Sequence, residues 1–156
     1  MNNNIAEQLR IAHLQMAEHT TAAGKATGSV QLIAVSKTRP AADIDTAYQY
    51  GQRAFGENYP QELAEKASQL ITLPQLEWHF IGPLQSNKTR LVAQHASWVH
   101  SIDRLKIAER LSAQRPAGLA PLKVLLQINI SDEASKSGIA PADMLPLAQQ
   151  VTQLPG

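Results

Sequence analysis

Val30-Gln31-Leu32-Ile33-Ala34-Val35-Ser36-Lys37-Thr38-Arg39-Pro40 is the stretch on which the fold turns. Val30 to Ser36 is short, rich in β-formers and without a helical repeat, which predicts a buried strand. Pro40 suits the first turn of a helix, because it has no N–H to lose there and its φ is already helical. That helix is expected to turn Ile44, Ala47 and Tyr48 inward and to end at Gly51. Upstream, Ile5, Leu9, Ala12 and Met16 fall on one helical face, so residues 5–22 read as a helix, and Gly24 and Gly28 break the pattern.

Downstream the alternation continues. Ala54-Phe55-Gly56 reads as a second strand. Pro60 opens a helix with Leu63, Ala67 and Leu70 on one face and Glu62/Lys66 as an i,i+4 pair. Residues 77–81 form the third expected strand, 87–93 a short helix, and Trp98-Val99-His100 the fourth strand. Asp103 is the expected N-cap of a helix carrying Ile107, Ala108 and Leu111. Pro116, Gly118 and Pro121 mark residues 114–121 as a loop. Residues 123–130 read as the clearest strand. A last helix is expected from Pro141 to about Leu154, with Ala148 and Val151 inward and Pro146 near its first turns. Helix and strand alternating in this way imply a parallel α/β sheet. Two architectures satisfy the pattern, a doubly wound open sheet and a (β/α)8 barrel of the TIM type. The barrel typically takes about 250 residues, and five strands are too few to close it.

The bulk numbers narrow the function classes. The 156 residues fit one domain, 1–156, and 44% hydrophobic against 17% charged residues supports a packed core rather than a disordered chain. A formal charge of +1 gives no reason to expect a nucleic-acid partner. The absence of cysteine removes disulfides, thiolate zinc sites and cysteine nucleophiles together. Met1-Asn2-Asn3-Asn4 has no basic region followed by an apolar one, and no window approaches 18 consecutive apolar residues. Neither a secretory signal nor a membrane span is therefore expected, and the expected location is the cytoplasm.

In both architectures ligands sit at the carboxyl ends of the strands. The polar residues crowd there: Ser36-Lys37-Thr38, Glu57-Asn58, Gly82 with Gln85-Ser86-Asn87-Lys88, Ser101, and residues 129–136. Lys37 at the end of a buried strand would be desolvated. Desolvation and a neighbouring cation such as Arg39 favour the neutral amine, the form that attacks an aldehyde. The spacing equally suits a lysine that simply reaches solvent from a strand end. The run Gly82 to Thr89 is one residue away from a nucleotide phosphate loop, with Asn87 where the second glycine belongs. Pro83 also removes an N–H from a loop that works by donating N–H groups, so an ordinary loop and capped helix is the better reading. His13, His19, His79, His95 and His100 have no metal-ligand spacing. His79 between Trp78 and Phe80 reads more readily as a core histidine than as a base. Glu57 and Glu62 are candidate acids, Glu62 reading as a solvated helix residue.

Several segments then match a known pattern in order between residues 30 and 139. They are Ala34-Val35-Ser36-Lys37-Thr38, Phe55-Gly56-Glu57-Asn58-Tyr59-x-Gln61-Glu62, and Trp78-His79-Phe80-Ile81-Gly82-x-Leu84-Gln85-x-Asn87-Lys88. His100-Ser101-Ile102-Asp103 and Gln127-Ile128-Asn129-x-x-x-Glu133-x-x-Lys136-x-Gly138 complete the series. Together they resemble the pyridoxal phosphate homeostasis protein family, whose members are similar to the N-terminal barrel domain of alanine racemase. The resemblance implies a (β/α)8 barrel with pyridoxal 5′-phosphate (PLP) held as a Schiff base on the lysine after the first strand, the position of Lys37. It implies a carrier without established turnover. Such a carrier lacks the second domain and catalytic tyrosine of the racemases and serves vitamin B6 balance, with PLP-dependent apo-enzymes as recipients. Lys136 matches a second lysine near the pocket. Asn58, His79 and Asn129 are placed near it by their strand-end positions.

The family's chain is longer and carries its phosphate-binding turn in strands six to eight. This sequence is therefore expected to be truncated after about five β/α units, with a weakened grip on the cofactor phosphate. The resemblance implies a monomer. Open edges on the first and fifth strands would invite self-association. Two other readings stand beside the carrier. One is a PLP-dependent amino-acid racemase, although racemisation needs acid/base groups on both faces of the cofactor and only a lysine on one face is found. The other is an α/β fragment that binds nothing well.

Overall fold

The computed structural model describes residues 3–131, 133 and 136–156. Met1 and Asn2, and Asp132, Ala134 and Ser135 of the polar run expected after the fifth strand, lie outside the described residues. The elements are α1 (Asn3–Ala22), β1 (Ala34–Val35), α2 (Ala41–Gln49), β2 (Ala54–Glu57), α3 (Pro60–Gln69) and β3 (Glu77–Phe80). A 3₁₀ turn (Ser86–Lys88) leads into α4 (Thr89–His95), followed by β4 (Trp98–Ile102), α5 (Leu105–Gln114) and β5 (Lys123–Leu126). A second 3₁₀ turn (Pro141–Asp143) precedes α6 (Met144–Val151). Proline acts as read: Pro40 caps α2 in extended conformation, and Pro60 is the first residue of α3.

The strands form one parallel sheet in the order β1-β2-β3-β4-β5. This order decides between the two architectures. A doubly wound sheet reverses direction at a switch point, whereas here each strand adds beyond the last. Right-handed crossovers with a constant direction of travel put every connecting helix on one face. The result is five successive β/α units of a barrel-type α/β fold, open between β1 and β5.

The core lies between the outer sheet face and the helices. Phe55, Trp78, Phe80, Val99 and Ile102 from the strands meet Ile44, Leu63, Val92, Ala93, Ile107 and Leu111 from α2 to α5. Phe80, Leu63, Val92, Val99, Ile102 and Ile107 have no exposed surface, and burying side chains of this size contributes roughly 1.5–3 kcal/mol each. Among the described residues no helix is long and apolar enough to cross a membrane.

Four expectations are corrected. The first strand is two residues, not Val30–Ser36, and Val30 and Val35 are exposed rather than buried. β1 is an edge strand paired only with β2, and ahead of it Gln52 Nε2, from just before β2, donates to Leu32 O and Ala54 O in place of a longer ladder. The fifth strand stops at Leu126 rather than Ile130. Beyond it the chain folds back, with Ile128 bridging Ile139, Asn129 N donating to Ile139 O and Ile139 N to Gln127 O. Arg104, not Asp103, is the N-cap of α5, because the helix begins one residue later and the Asp103 carboxylate accepts from Arg104 Nη1 at 2.8 Å. In α6 the buried residue is Leu147, while Ala148 and Val151 are only half-buried.

Candidate functional site

Phe55 and Glu57 point from β2 toward the helices, so Gly56 faces the opposite, inner side of the sheet. A Cβ on Gly56 would meet Ile81 Cδ1 at 3.0 Å, Ile33 Cγ2 at 3.3 Å and Val35 Cγ2 at 3.6 Å. Ile33, Val35 and Ile81 therefore share that inner face, and Lys37 stands just beyond Val35 in the turn Ser36–Arg39 at the carboxyl end of β1. Lys37 is exposed, and among the described residues no hydrogen bond or ion pair holds its ammonium. The expected desolvation of Lys37 is thus corrected: β1 is covered on one side only. Arg39, the expected neighbouring cation, stands 3.9 Å from Asp43 on α2.

The backbone that carries Lys37 is held from beneath. Ser36 Oγ donates to Glu57 Oε1 at 2.6 Å. Lys66 Nζ donates to Ser36 O at 2.6 Å, to Glu57 Oε1 at 2.7 Å and to Glu62 Oε1 at 2.8 Å. Glu62 Oε1 also accepts from Thr38 N at 2.6 Å, and Arg39 N closes the turn onto Ser36 O at 3.0 Å. Thr38 has φ +63°, a conformation a β-branched residue adopts only when its surroundings impose it. Glu62, read as solvated, is thus a partner to two donors, and Lys66 is 5% exposed rather than on the surface. The available signal was its position: Leu63, Lys66, Ala67 and Leu70 share one face, and a lysine inside an apolar stripe needs buried partners.

Deeper on the inner face, His79 Nδ1 and His100 Nε2 are 2.9 Å apart, and His79 Nε2 lies 3.5 Å from Glu77 Oε2. The Glu77 carboxylate favours an N–H on His79 Nε2, which leaves Nδ1 to accept from His100. Glu77 also accepts from Gln31 Nε2 and Trp98 Nε1; the Trp98 ring stacks on His79 at 5.7 Å, and Lys123 Nζ lies over the Trp98 ring, 5.0 Å from its centroid. Burial pushes the His79 and His100 imidazoles below the ordinary histidine range. At His79 the Glu77 carboxylate opposes this, while His100 and Lys123 reinforce it. Burial would raise the Glu77 carboxyl, but the hydrogen bonds from Gln31 and Trp98 and the charge on His79 hold it low.

This pair sets a pH dependence. With a depressed folded-state value, the unfolded chain takes up protons first, so the stabilisation is complete above the unfolded histidine value of about 6.5 and is lost as pH falls below it. The melting temperature is expected to fall between about pH 7.5 and about pH 5.5, and the His79→Gln/His100→Gln variant to flatten that fall. A melting temperature that rises on acidification would contradict the assignment.

The other strand ends carry acceptors and close backbone approaches. Asn58 Oδ1, Ser101 Oγ and Asn129 Oδ1 are buried and have no hydrogen-bond partner among the described residues. Asn129 Nδ2 donates to Glu133 O at 2.9 Å, and Lys136, exposed, pairs with Glu133 Oε1 at 2.6 Å. Gly82 packs against Asn58, where a Cβ would lie 2.7 Å from Asn58 Cα. Gly138, at φ +124°, would put a Cβ 2.7 Å from Asn129 N. In the segment that resembles a phosphate loop, Thr89 Oγ1 donates within the helical layer to Ser86 O and Gln114 Oε1, so its hydroxyl is structural.

Residues 12–156 match the family model described as the alanine racemase N-terminal domain. The chain belongs to this family. Within it, the chain is 57% identical over 153 residues to the pyridoxal phosphate homeostasis protein of Pseudomonas aeruginosa, covering 98% of this chain and 66% of that relative. It is 43% identical to PipY of Synechococcus elongatus, whose structure has been solved with PLP bound, at a TM-score of 0.76 over 96% of this chain and 65% of PipY. Alanine racemase from Corynebacterium glutamicum shares the fold, with a TM-score of 0.57, 16% identity, and 82% of this chain and 37% of the racemase covered. The chain thus spans just under two thirds of the length of the first two of these relatives and 37% of the racemase.

The family frame orders the five candidate residues. Lys37, Asn58 and His79 lie on or just beyond the adjacent strands β1, β2 and β3. The pairs Val35↔Gly56 and Gly56↔His79 put His79 in the row of Val35, below Lys37, with Nδ1 bonded to His100 and Nε2 buried 3.5 Å from Glu77 Oε2 without a hydrogen bond among the described residues. Asn129 and Lys136 are brought together, but in the fold-back loop beyond β5, at the opposite edge of the sheet from Lys37.

Proposed function

We propose that Lys37 is the attachment point for pyridoxal 5′-phosphate, in a cytoplasmic carrier that holds the cofactor for PLP-dependent apo-enzymes and has no turnover of its own. The observation that carries this reading is a primary amine, exposed and without a partner among the described residues, at the carboxyl end of β1 on a backbone turn that is bonded on both sides. The donor set fits the group. Lys37 offers the amine, and the orphaned Asn58 Oδ1, Ser101 Oγ and Asn129 Oδ1 offer buried polar atoms at the same end of the sheet. When bound, the cofactor supplies an aldehyde with which an amine condenses, forming C=N with loss of water. Lys37 would hold that Schiff base, Asn58 would flank it, and His79 would support the row beneath through His100 and Glu77. Lys136 and Asn129 would stand across the mouth. The relatives' names and the PLP-bound PipY support the choice of ligand.

A carrier is favoured over a racemase by the residues around Lys37. The inner-face neighbours Ile33, Val35, Gly56 and Ile81 have no titratable group, and the nearest inner-face imidazole is committed to His100 and Glu77. Incubation with PLP, borohydride reduction and digestion is expected to place the adduct on Lys37 and to lose it in Lys37→Ala. Recovery of the label solely on other lysines would reject the reading. Incubated with L-alanine and PLP, the protein is expected to leave the enantiomer unchanged, and Lys37-dependent racemisation would move the assignment to the enzyme.

A further inference from the structure

We infer that Glu62 and Lys66 of α3 are positioning residues for Lys37, acting through the turn Ser36–Arg39; this rests on the function proposed above. Lys37 itself is untethered, so the direction of its side chain is set by its backbone alone. Both flanking peptides are bonded to α3: Lys66 Nζ donates to Ser36 O and Glu62 Oε1 accepts from Thr38 N. The same Lys66 ammonium bridges Glu57 and Glu62, and Ser36 Oγ adds a second bond to Glu57. The cluster therefore ties the strand end, the turn and the helix into one unit. Thr38 at φ +63° is the strained member of that unit, and Glu62 is the group that holds its N–H. Released from Glu62, Thr38 would relax toward negative φ and change the direction in which the turn holds the Lys37 side chain.

The arrangement has no need of a catalytic role for either residue. Neither is placed at the cofactor: Lys66 is buried on the helix side of the sheet, beneath the turn that carries Lys37. What it supplies is pre-organisation, which counts here because a freely jointed lysine would have to be ordered each time the C=N bond formed.

Glu62 is the residue to test, since its removal leaves Lys66 paired with Glu57 and Ser36. Three forms of the protein are compared: wild type, Glu62→Ala and Glu62→Gln. The equilibrium constant for PLP attachment is read from the absorbance of the unreduced adduct in a titration, and amide exchange at Thr38 is read by NMR without cofactor. In the wild type Thr38 exchange is expected to be slow. In Glu62→Ala it is expected to accelerate, with attachment about tenfold weaker and the remaining core amides still protected. Glu62→Gln, which keeps a carbonyl oxygen for the Thr38 N–H, is expected to restore most of both. Fast Thr38 exchange in the wild type overturns the inference without any variant. So does unchanged PLP attachment in Glu62→Ala, or equal loss in Glu62→Ala and Glu62→Gln. If the wild type forms no adduct on Lys37, the proposed function fails, and Thr38 exchange still decides whether Glu62 holds the turn.

Discussion

Lys66→Met is expected to lower the unfolding free energy by about 3–5 kcal/mol, because it leaves the Glu57 carboxylate buried without its cation. Glu57 has no exposed surface and its Oε2 has no hydrogen-bond partner among the described residues, so Oε1 alone carries the compensation, from Lys66 and Ser36. Methionine matches the length of the buried lysine stem, so the loss isolates the charge. The Glu57→Gln/Lys66→Met pair removes both charges and is expected to regain most of the loss, since replacing a buried ion pair as a unit is often close to neutral. Urea denaturation of the wild type and both variants measures the difference. With total stability of about 5–15 kcal/mol, the single variant loses a large share of it. A loss below about 1 kcal/mol in Lys66→Met would show that this buried pair does not carry the stability its geometry implies.

That cluster marks the limit of what the chain's one-dimensional pattern reveals. The alternation of Pro-initiated helices with short apolar runs fixed the succession of β/α units, because hydrophobic period and proline geometry are local properties. The order of strands was not local: doubly wound and barrel-type sheets share the same succession, and only the ladder pairings from β1 through β5 separate them. Strand lengths were overestimated at Val30–Ser36 and Lys123–Ile130 for one physical reason. β-forming residues extend a strand only where a neighbour offers N–H and C=O groups, and both segments stand at sheet edges. At the site, Lys37 was legible from its place after the first strand, but its solvent exposure was not. Glu62 and Lys66 looked like an ordinary i,i+4 surface pair, and nothing in their spacing revealed that a carbonyl and an amide from the turn around Lys37 would dock onto them. The His79–His100 contact was illegible for the same reason. It joins residues 21 apart through the register of β3 on β4.

Gly82 ties these threads to a second large effect. It follows β3 at the inner mouth of the sheet, where Ile81 N still donates to Glu57 O, and its missing side chain lets the Asn58 backbone pass. In Gly82→Ala the new Cβ would meet Asn58 Cα at 2.7 Å and its carbonyl carbon at 2.8 Å. Both obstacles are main chain, so no rotamer change relieves them, and the strand ends of β2 and β3 must separate. Overpacking of this kind costs about 1–3 kcal/mol, and the absence of a flexible neighbour puts Gly82→Ala at the upper end. The damage reaches the site through a short path. Asn58 directly follows Glu57, which anchors Ser36 and Lys66, so displacing Asn58 strains the turn that carries Lys37. Gly82→Ala is therefore expected to lower the melting temperature and, in the fraction that remains folded, to weaken PLP attachment at Lys37. Gly51→Ala supplies the control: its Cβ would meet nothing within 4 Å, and its cost comes only from φ +91° at the end of α2, away from the strand mouth. Thermal melts and borohydride trapping of both variants separate the two effects. Gly82→Ala with full trapping and a melting temperature no lower than that of Gly51→Ala would mean that the mouth of the sheet yields more easily than its backbone contacts imply.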